Sequence, residues 1–568
     1  TRCECSPCRD AMILNSTHGC RAGAPLHGAP RSACRWNCQP APRRAAPAPT
    51  FSSRRHDGKP GVARMSMASE EVSQVDRPSS PPLTHGSAEE GVLQALSVIM
   101  DPDLGKNIVD CGFVHDLAID LASGAVSLRL NLTTPACPVK DEFKRQAEEA
   151  VRALDWVRTA EVAITASPPA QVPGQGAEAA GKPGGLRGVR HIIAVSSCKG
   201  GVGKSTTAVN LAFTLAQMGA RVGIFDADVY GPSLPTMISP ESRVLAMDPE
   251  TKAITPVDFE GVKAVSFGFA GQGSAIMRGA MVSGLIQQLL TTTEWGDLDY
   301  LVIDFPPGTG DIQLTLCQTC ALSAAVIVTT PQRLAFIDVA KGIRMFARLA
   351  VPCVAVVENM SYFEVDGVRH RPFGQGAGEK IVEEFGLPHI FRFPIDPGLS
   401  SAGDEGLPLV VVDPTCPTSQ TYAELGAAVV REVAKLERGS QAAISYDPAS
   451  ASFTVWLPGE AVFHLDAAEV RRNDTSARAI DEWSGGTGSP APGLGPEAGV
   501  ALAVTTLGNY AAQISWKDGA NQVAAYDLLL RLPRLSDQAL EERRQSNKAP
   551  VDLASVLAAA SQHPPSAP

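Results

Sequence analysis

The chain carries 568 residues, 44% of them apolar and 19% charged, with 13 cysteines; it is too apolar for a disordered chain and too poor in cysteine for a disulfide scaffold. Its length points to three or four domains at about 150 residues each, and no apolar run approaches the roughly 18 residues of a membrane helix. The formal net charge of -11 argues against nucleic-acid binding through bulk electrostatics, which needs clustered Lys and Arg.

That charge is unevenly spread. Residues 1–68 hold 11 Lys and Arg against 3 acids, and six of the cysteines, at positions 3, 5, 8, 20, 34 and 38. Rich in Arg, Ala, Pro and Ser and lacking the apolar core of a secretory signal, this stretch has the composition of an organelle transit peptide. Its cysteines show no regular ligand spacing, so compositional noise and a small metal knot both stay open. The other 500 residues form an acidic body. Residues 69–86, with Pro78, Pro81 and Pro82, read as a linker that buries too little to order itself.

From 87 to 166 the pattern predicts a small α+β domain. A helix over Glu89–Ile99 follows a Ser87 cap with Glu90 three residues on. A half-buried strand at Val126–Leu132, a loop through Pro138, a helix at Asp141–Leu154 and a strand at Thr159–Ile164 complete it. Residues 167–188, dominated by Pro, Gly, Ala and Gln, read as a flexible tether. Over 189–437, short apolar strands (His191–Ser196, Arg221–Phe225, Tyr300–Ile303, Ala325–Thr329, Cys353–Val357) alternate with helical segments. Such alternation predicts an α/β fold, a mostly parallel sheet flanked by helices. Residues 440–535 read as a small β-rich domain, with runs at Phe453–Leu457, Ala461–Leu465 and Ala511–Trp516 interrupted by a Gly/Pro-rich segment at 484–499. A charged, Ala-rich tail occupies 536–568.

The strongest chemical signal is Cys198-Lys199-Gly200-Gly201-Val202-Gly203-Lys204-Ser205-Thr206, between an apolar strand and a helix. Glycines let successive backbone N–H groups converge on phosphate oxygens, and the helix adds its positive end. Lys204 would lie along the β and γ phosphates, and the Ser205 hydroxyl would join a Mg²⁺ shell. Asp226 and Asp228 follow the second strand, where a carboxylate can orient an attacking water; Asp304 ends the third and suits a Mg²⁺ second-shell role. For each acid the alternative is a helix cap or a solvated loop.

This P-loop has Cys at 198 where the ordinary pattern has Gly, and an additional Lys199. With that lysine it resembles the deviant P-loop of the MinD/ParA and nitrogenase-reductase group, whose signature lysine reaches the partner's phosphates in a nucleotide-sandwich dimer. With Asp226–Ser233, Asp304–Asp311 and Val357-Glu358-Asn359-Met360-Ser361, the chain is similar to the Mrp/ApbC family of iron–sulfur carrier ATPases. The resemblance implies a homodimeric P-loop NTPase that uses ATP and Mg²⁺ and passes a [4Fe–4S] cluster to apo iron–sulfur proteins. It puts Asn359 at the adenine edge, unless Asn359 is a plain strand-end turn.

Most members of that family carry a C-x-x-C pair just after this motif, bridging the cluster between subunits, but Ser361–Gly367 contains no Cys. The order of a PaaD-like assembly domain (87–166), a Mrp-like ATPase (189–437) and a module similar to γ-butyrobetaine-hydroxylase N-terminal domains (440–535) resembles a plastid branch that also lacks the pair. Thr134–Pro138, Asp311–Cys317, Val470–Asp474, Gly508–Tyr510 and Trp516–Gly519 carry that likeness. It implies the chloroplast stroma, with the mitochondrial matrix as the alternative.

Cluster ligands must then come from elsewhere, and thiolates suit iron–sulfur iron. Cys137, beside Pro138 and before a helix start, is the first candidate. Cys353 and Cys317 follow; Cys317 and Cys320 have C-x-x-C spacing but sit among Leu314, Leu316 and Leu322, which suits packing equally. Cys198 is crowded by the phosphates. His464 stands alone, so zinc is not expected. Two rivals remain: a MinD/ParA-type positioning ATPase, although residues 551–568 offer no basic amphipathic helix, and a nucleotide-gated scaffold without a cluster.

Overall fold

The computed structural model describes residues 84–102, 105–132, 134–166, 184–270, 279–308, 310–437, 442–457, 460–474 and 499–548. The transit-peptide stretch, most of both linkers, nearly all of the Gly/Pro-rich segment and the end of the tail lie outside those residues.

The first helix, α1 (His85–Leu96), starts earlier than its sequence pattern suggests, because Thr84 rather than Ser87 is the cap. The Thr84 hydroxyl accepts from the Ser87 N–H at 3.3 Å and the Ser87 hydroxyl accepts from the Thr84 N–H at 3.1 Å, a reciprocal box that satisfies two end donors. Strands β1 (Val114–Asp120) and β2 (Ala125–Leu132) pair antiparallel, and β3 (Thr159–Ala166) pairs parallel to β2, with helix α2 (Lys140–Arg152) crossing between them. Alternation works in β2: Val126, Leu128, Leu130 and Leu132 are buried with Val92 and Leu96 of α1 and Phe143, Ala147 and Val151 of α2. It fails in β1, absent from the sequence reading, because a register shift between His115 and Ala118, with Asp116 at φ 49°, breaks the two-residue period.

The central sheet comprises β4 (Val189–Ser196), β5 (Val222–Asp226), β6 (Val257–Phe259), β7 (Val262–Ser266), β8 (Leu298–Asp304), β9 (Ala324–Thr329), β10 (Cys353–Val365), β11 (Val368–His370) and β12 (Ile390–Pro394). Their order is β6-β7-β5-β8-β4-β9-β10-β11, with β12 also on β10; only the β6–β7 and β10–β11 pairs are antiparallel. Helices α3 (Lys204–Gln217), α4 (Gly279–Thr292), α5 (Asp311–Thr319), α6 (Arg333–Arg348), α7 (Ala377–Phe385), α8 (Pro397–Asp404) and α9 (Pro417–Glu437) cover it. Strands buried on both faces are continuous apolar runs, as parallel sheets require, and β5, β8 and β9 are buried throughout.

The C-terminal part holds two antiparallel sheets. One runs β13 (Ala443–Asp447), β14 (Ser452–Trp456), β15 (Phe463–Asp466) and the short β19 (Arg534–Leu535); the other is the meander β16 (Ala501–Leu507), β17 (Ala511–Trp516) and β18 (Asn521–Ala525). They share a core around Phe453, Leu465, Trp516 and Tyr526.

Parts of the segments read as tether and tail are built into the fold. Gly184–Leu186 is a 3₁₀ turn that buries Leu186 against the ATPase core. Beyond Ser536, the helix α10 (Asp537–Lys548) buries Leu540 and pairs Arg543 with Asp466 and Arg544 with Asp447. The three parts also interpenetrate: Ala136 enters the core beneath α3, while Leu507, Tyr510, Ala511 and Val523 enter the one beneath α6 and α7. Among the described residues no helix is long and apolar enough to cross a membrane.

Candidate functional site

Strand β4 delivers the chain to the phosphate loop, and α3 begins at Lys204. Gly201 (φ 77°) and Gly203 (φ 87°) adopt the left-handed backbone that L side chains resist, and a Cβ at 203 would collide with the Asn359 amide. Gly203 caps α3 without any side-chain acceptor, which leaves the first-turn amides for an anion.

Lys204 is buried, 7% exposed, and its ammonium is ion-paired with Asp304, itself 3% exposed at the end of β8; Nζ also lies 3.3 Å from the Ser205 hydroxyl. Burial pushes the Asp304 carboxyl above its ordinary range, against the pull of Lys204. Lys199 stands half-exposed at the loop's rim, and its side chain has no hydrogen bond or ion pair among the described residues; its carbonyl accepts the Ser197 hydroxyl at 3.0 Å.

Asp226 and Asp228 have different surroundings. Asp226 Oδ1 accepts the Asp228 N–H at 3.1 Å, and Oδ2 accepts the N–H groups of Ser233 (3.1 Å) and Leu234 (3.2 Å) and the Ser266 hydroxyl (3.1 Å). Burial first, then the neighbouring Asp304, raise its pKa to about 7. Three of its four donors tie down the loop from 227 to 234, and the fourth, Ser266, ends β7. Asp228 is half-exposed and accepts the Gly231 N–H at 3.1 Å. Of the two, it is the carboxylate with room to meet a water.

Asn359, which the family resemblance puts at the adenine edge, lies against the phosphate loop. Its Nδ2 donates to the Val202 carbonyl at 2.9 Å and its Oδ1 accepts the Met360 N–H at 2.9 Å, so the side chain braces the phosphate loop. Beside it, Glu358 is 2% exposed; it accepts the Gly378 N–H at 2.8 Å and has the Ser361 hydroxyl 2.8 Å away. Sequence reasoning passed over Glu358 and Ser266. An acid inside an otherwise apolar parallel strand was the available signal for Glu358, since such a charge must be paired; Ser266 had none until its strand paired with that of Asp226.

The candidate cysteines are not brought together. Cys137 is half-buried in the loop before α2. Cys353 is 1% exposed at the start of β10, where its N–H donates to the Tyr510 hydroxyl at 2.9 Å, and burial drives its thiol well above the ordinary range. Cys317 lies in α5 against the core, with its thiol pushed up to about 11. Cys320, raised to about 12, donates to the Leu316 carbonyl at 3.1 Å, and Cys198 is raised to about 11, all by burial. Thiols held this way resist becoming thiolates. Cys353 could reach a cluster only by opening the core, whereas Cys317 is half-buried in α5. Among the described residues no group of three or more His, Cys, Asp or Glu is placed to hold a metal ion.

Residues 188–430 match the family described as ParA, NUBPL iron-transfer P-loop NTPase, and residues 89–164 match that described as iron-sulfur cluster assembly protein. The chloroplastic Fe-S cluster assembly factor HCF101 of Arabidopsis thaliana is 58% identical over 456 residues, 79% of this chain and 84% of its own. The iron-sulfur cluster carrier protein of Synechocystis sp. is 41% identical over 351 residues, 61% of this chain and 97% of its own. A solved structure of a nucleotide-binding protein from Archaeoglobus fulgidus, in complex with ADP, is 38% identical and covers 39% of this chain and 88% of its own, with a TM-score of 0.35. Identity of 58% across most of both chains, over a deviant phosphate loop and an iron–sulfur assembly domain, places this chain in the HCF101 family of Fe-S cluster assembly factors.

Proposed function

We propose that the chain is an ATP-hydrolysing carrier that holds a [4Fe–4S] cluster and hands it to apo iron–sulfur proteins, as a homodimer closed by nucleotide, in the plastid stroma. The observation that carries this reading is the phosphate loop with two differently placed lysines, Lys204 buried on Asp304 and Lys199 half-exposed at the rim. In this reading Gly200–Thr206 cradle the phosphates, and Lys204 exchanges its carboxylate for the β and γ phosphate oxygens. Asn359 keeps the loop in shape through Val202. The Ser205 hydroxyl and the Asp304 carboxylate both lie beside Lys204 Nζ and interact with each other, hard oxygen groups that fit Mg²⁺ with Ser205 as a ligand and Asp304 behind it. When bound, that ion would neutralise phosphate charge. Asp226 holds the loop from which Asp228 orients the attacking water, and Lys199 reaches the phosphates of the partner subunit. The output is the opening and closing of the dimer rather than transfer of phosphate to a second substrate.

The cluster is cargo. Cys137 is the thiol offered for it, since it alone among the three candidates stands outside the ATPase core on a loop. Anaerobic reconstitution of the chain with iron and sulfide should give a brown protein absorbing at about 400 nm, where thiolate-to-iron charge transfer falls, and the colour should pass to an apo-ferredoxin-like acceptor. A colourless product with intact ATPase activity would select the nucleotide-gated scaffold instead.

Lys199→Ala separates binding from closure. It should leave ATP affinity within about threefold of wild type while lowering hydrolysis on the order of 10³-fold, as for an arginine finger supplied in trans. Hydrolysis equal to wild type, measured as released phosphate across a range of protein concentrations, would remove the sandwich dimer.

A further inference from the structure

Two rigid elements run between the phosphate site and the loop that carries Cys137, and each is tied at both ends. At the phosphate end, the buried Lys204–Asp304 pair joins the first residue of α3 to the last of β8. At the opposite end of α3, the Lys140 ammonium donates to the carbonyl of Met218, the residue that closes the helix, at 2.8 Å. Four residues before Asp304 in β8, the Tyr300 hydroxyl lies 3.2 Å from that of Thr134. Thr134 and Lys140 bracket Pro135-Ala136-Cys137-Pro138-Val139, and Ala136 between them is wholly buried. Gly219, at φ 99°, lets this loop approach: a Cβ there would stand 3.3 Å from Lys140 Nζ and 3.6 Å from the Pro135 carbonyl oxygen. The helix, β8, the ion pair and the Cys137 loop thus form a closed frame. The 14 residues of α3 set its ends about 21 Å apart at 1.5 Å per residue.

Nucleotide must open one joint of this frame, because phosphate oxygens and Asp304 compete for the same Lys204 ammonium. Helix and strand are too stiff to absorb the change locally, so it is passed to the joints at the far end. We infer that Thr134 and Lys140 are positioning residues that couple the Cys137 loop to nucleotide occupancy, filling of the phosphate site loosening the loop and exposing the thiol. The use of this coupling, release of cargo in the ATP-bound state, rests on the proposed role of Cys137 as a cluster ligand. The coupling itself needs no cluster.

The test is the alkylation rate of Cys137 in the reduced, cluster-free full chain, read by peptide mass spectrometry with Cys416 as an internal reference. Saturating magnesium and a non-hydrolysable ATP analogue should speed Cys137 alkylation by about three- to tenfold, within the range of coupling carried by packed elements. Lys140→Met should raise the nucleotide-free rate and abolish the response, and Lys140→Arg should restore it. By linkage the same Lys140→Met variant should bind the analogue more tightly, an effect that a merely damaged fold would not produce. If Lys140→Met does not fold, Thr134→Val breaks the other joint and should respond alike. A Cys137 rate unchanged by saturating analogue, or a Lys140→Met variant that responds as wild type does, overturns the frame. Cluster retention by Cys137→Ser, with the nucleotide response of Cys137 seen in the wild-type chain, would instead reject Cys137 as a ligand and leave the frame standing.

Discussion

Lys204→Ala should lose ATP affinity by on the order of 100-fold or more, since truncating one partner of a buried charge pair costs about 2–5 kcal/mol. It should also be less stable than wild type without nucleotide, by about 3 kcal/mol, because the ammonium is the counter-charge of Asp304 and helps to offset the burial of Asp226. The deficit depends on pH. Both carboxyls sit above their unfolded values, Asp226 near 7, so their protonated forms favour the fold at low pH and that advantage fades as pH rises through the folded pKa. Without Lys204 both rise further. Thermal melts should therefore show a larger gap between variant and wild type at pH 8 than at pH 6. Equal gaps, or near-normal ATP affinity, would show that the ion pair does not neutralise this site.

Asp228→Asn should lower kcat by about 10²- to 10⁴-fold, the range of a lost general base, with ATP affinity changed by no more than about threefold. Asp226→Asn should behave differently. Both of its oxygens accept N–H or O–H groups, so an amide would turn an –NH₂ onto either the Asp228 N–H or the group formed by Ser233, Leu234 and Ser266. That donor–donor clash leaves buried groups unsatisfied, at about 1–3 kcal/mol, and should loosen the loop, lowering stability and nucleotide affinity together. Melts, analogue binding and single-turnover hydrolysis on both variants distinguish the two acids. Wild-type kcat in Asp228→Asn would move the water-orienting role elsewhere.

The two acids also show where reading residues in order reaches its limit. Their position after an apolar strand marks both as candidates, because phosphate chemistry needs carboxylates at strand ends. Which of them is free depends on donors up to 40 residues away, such as Ser266, brought alongside by the β5–β7 pairing. Cys353 and Cys317 fall in the same class. A thiol after Pro352 or within a helix reads alike whether open or sealed, and only the packing of Tyr510 against β10 closes off Cys353. Asn359 lies near the nucleotide loop as its motif implies, but its partner is Val202, 157 residues back.

What the sequence determined by itself is what local rules control: the phosphate loop with its two lysines, the apolar strands of the parallel sheet, and the alternating face of β2. Each follows from backbone freedom, periodicity or the spacing of a few consecutive residues. Tertiary structure alone decided which charges are paired, which thiols are buried, and that the segments flanking the ATPase part enter its cores rather than hang from it. Burial and charge pairing are properties of groups far apart in the chain, and they acquire values only when the sheet has placed those groups within a few ångströms of one another.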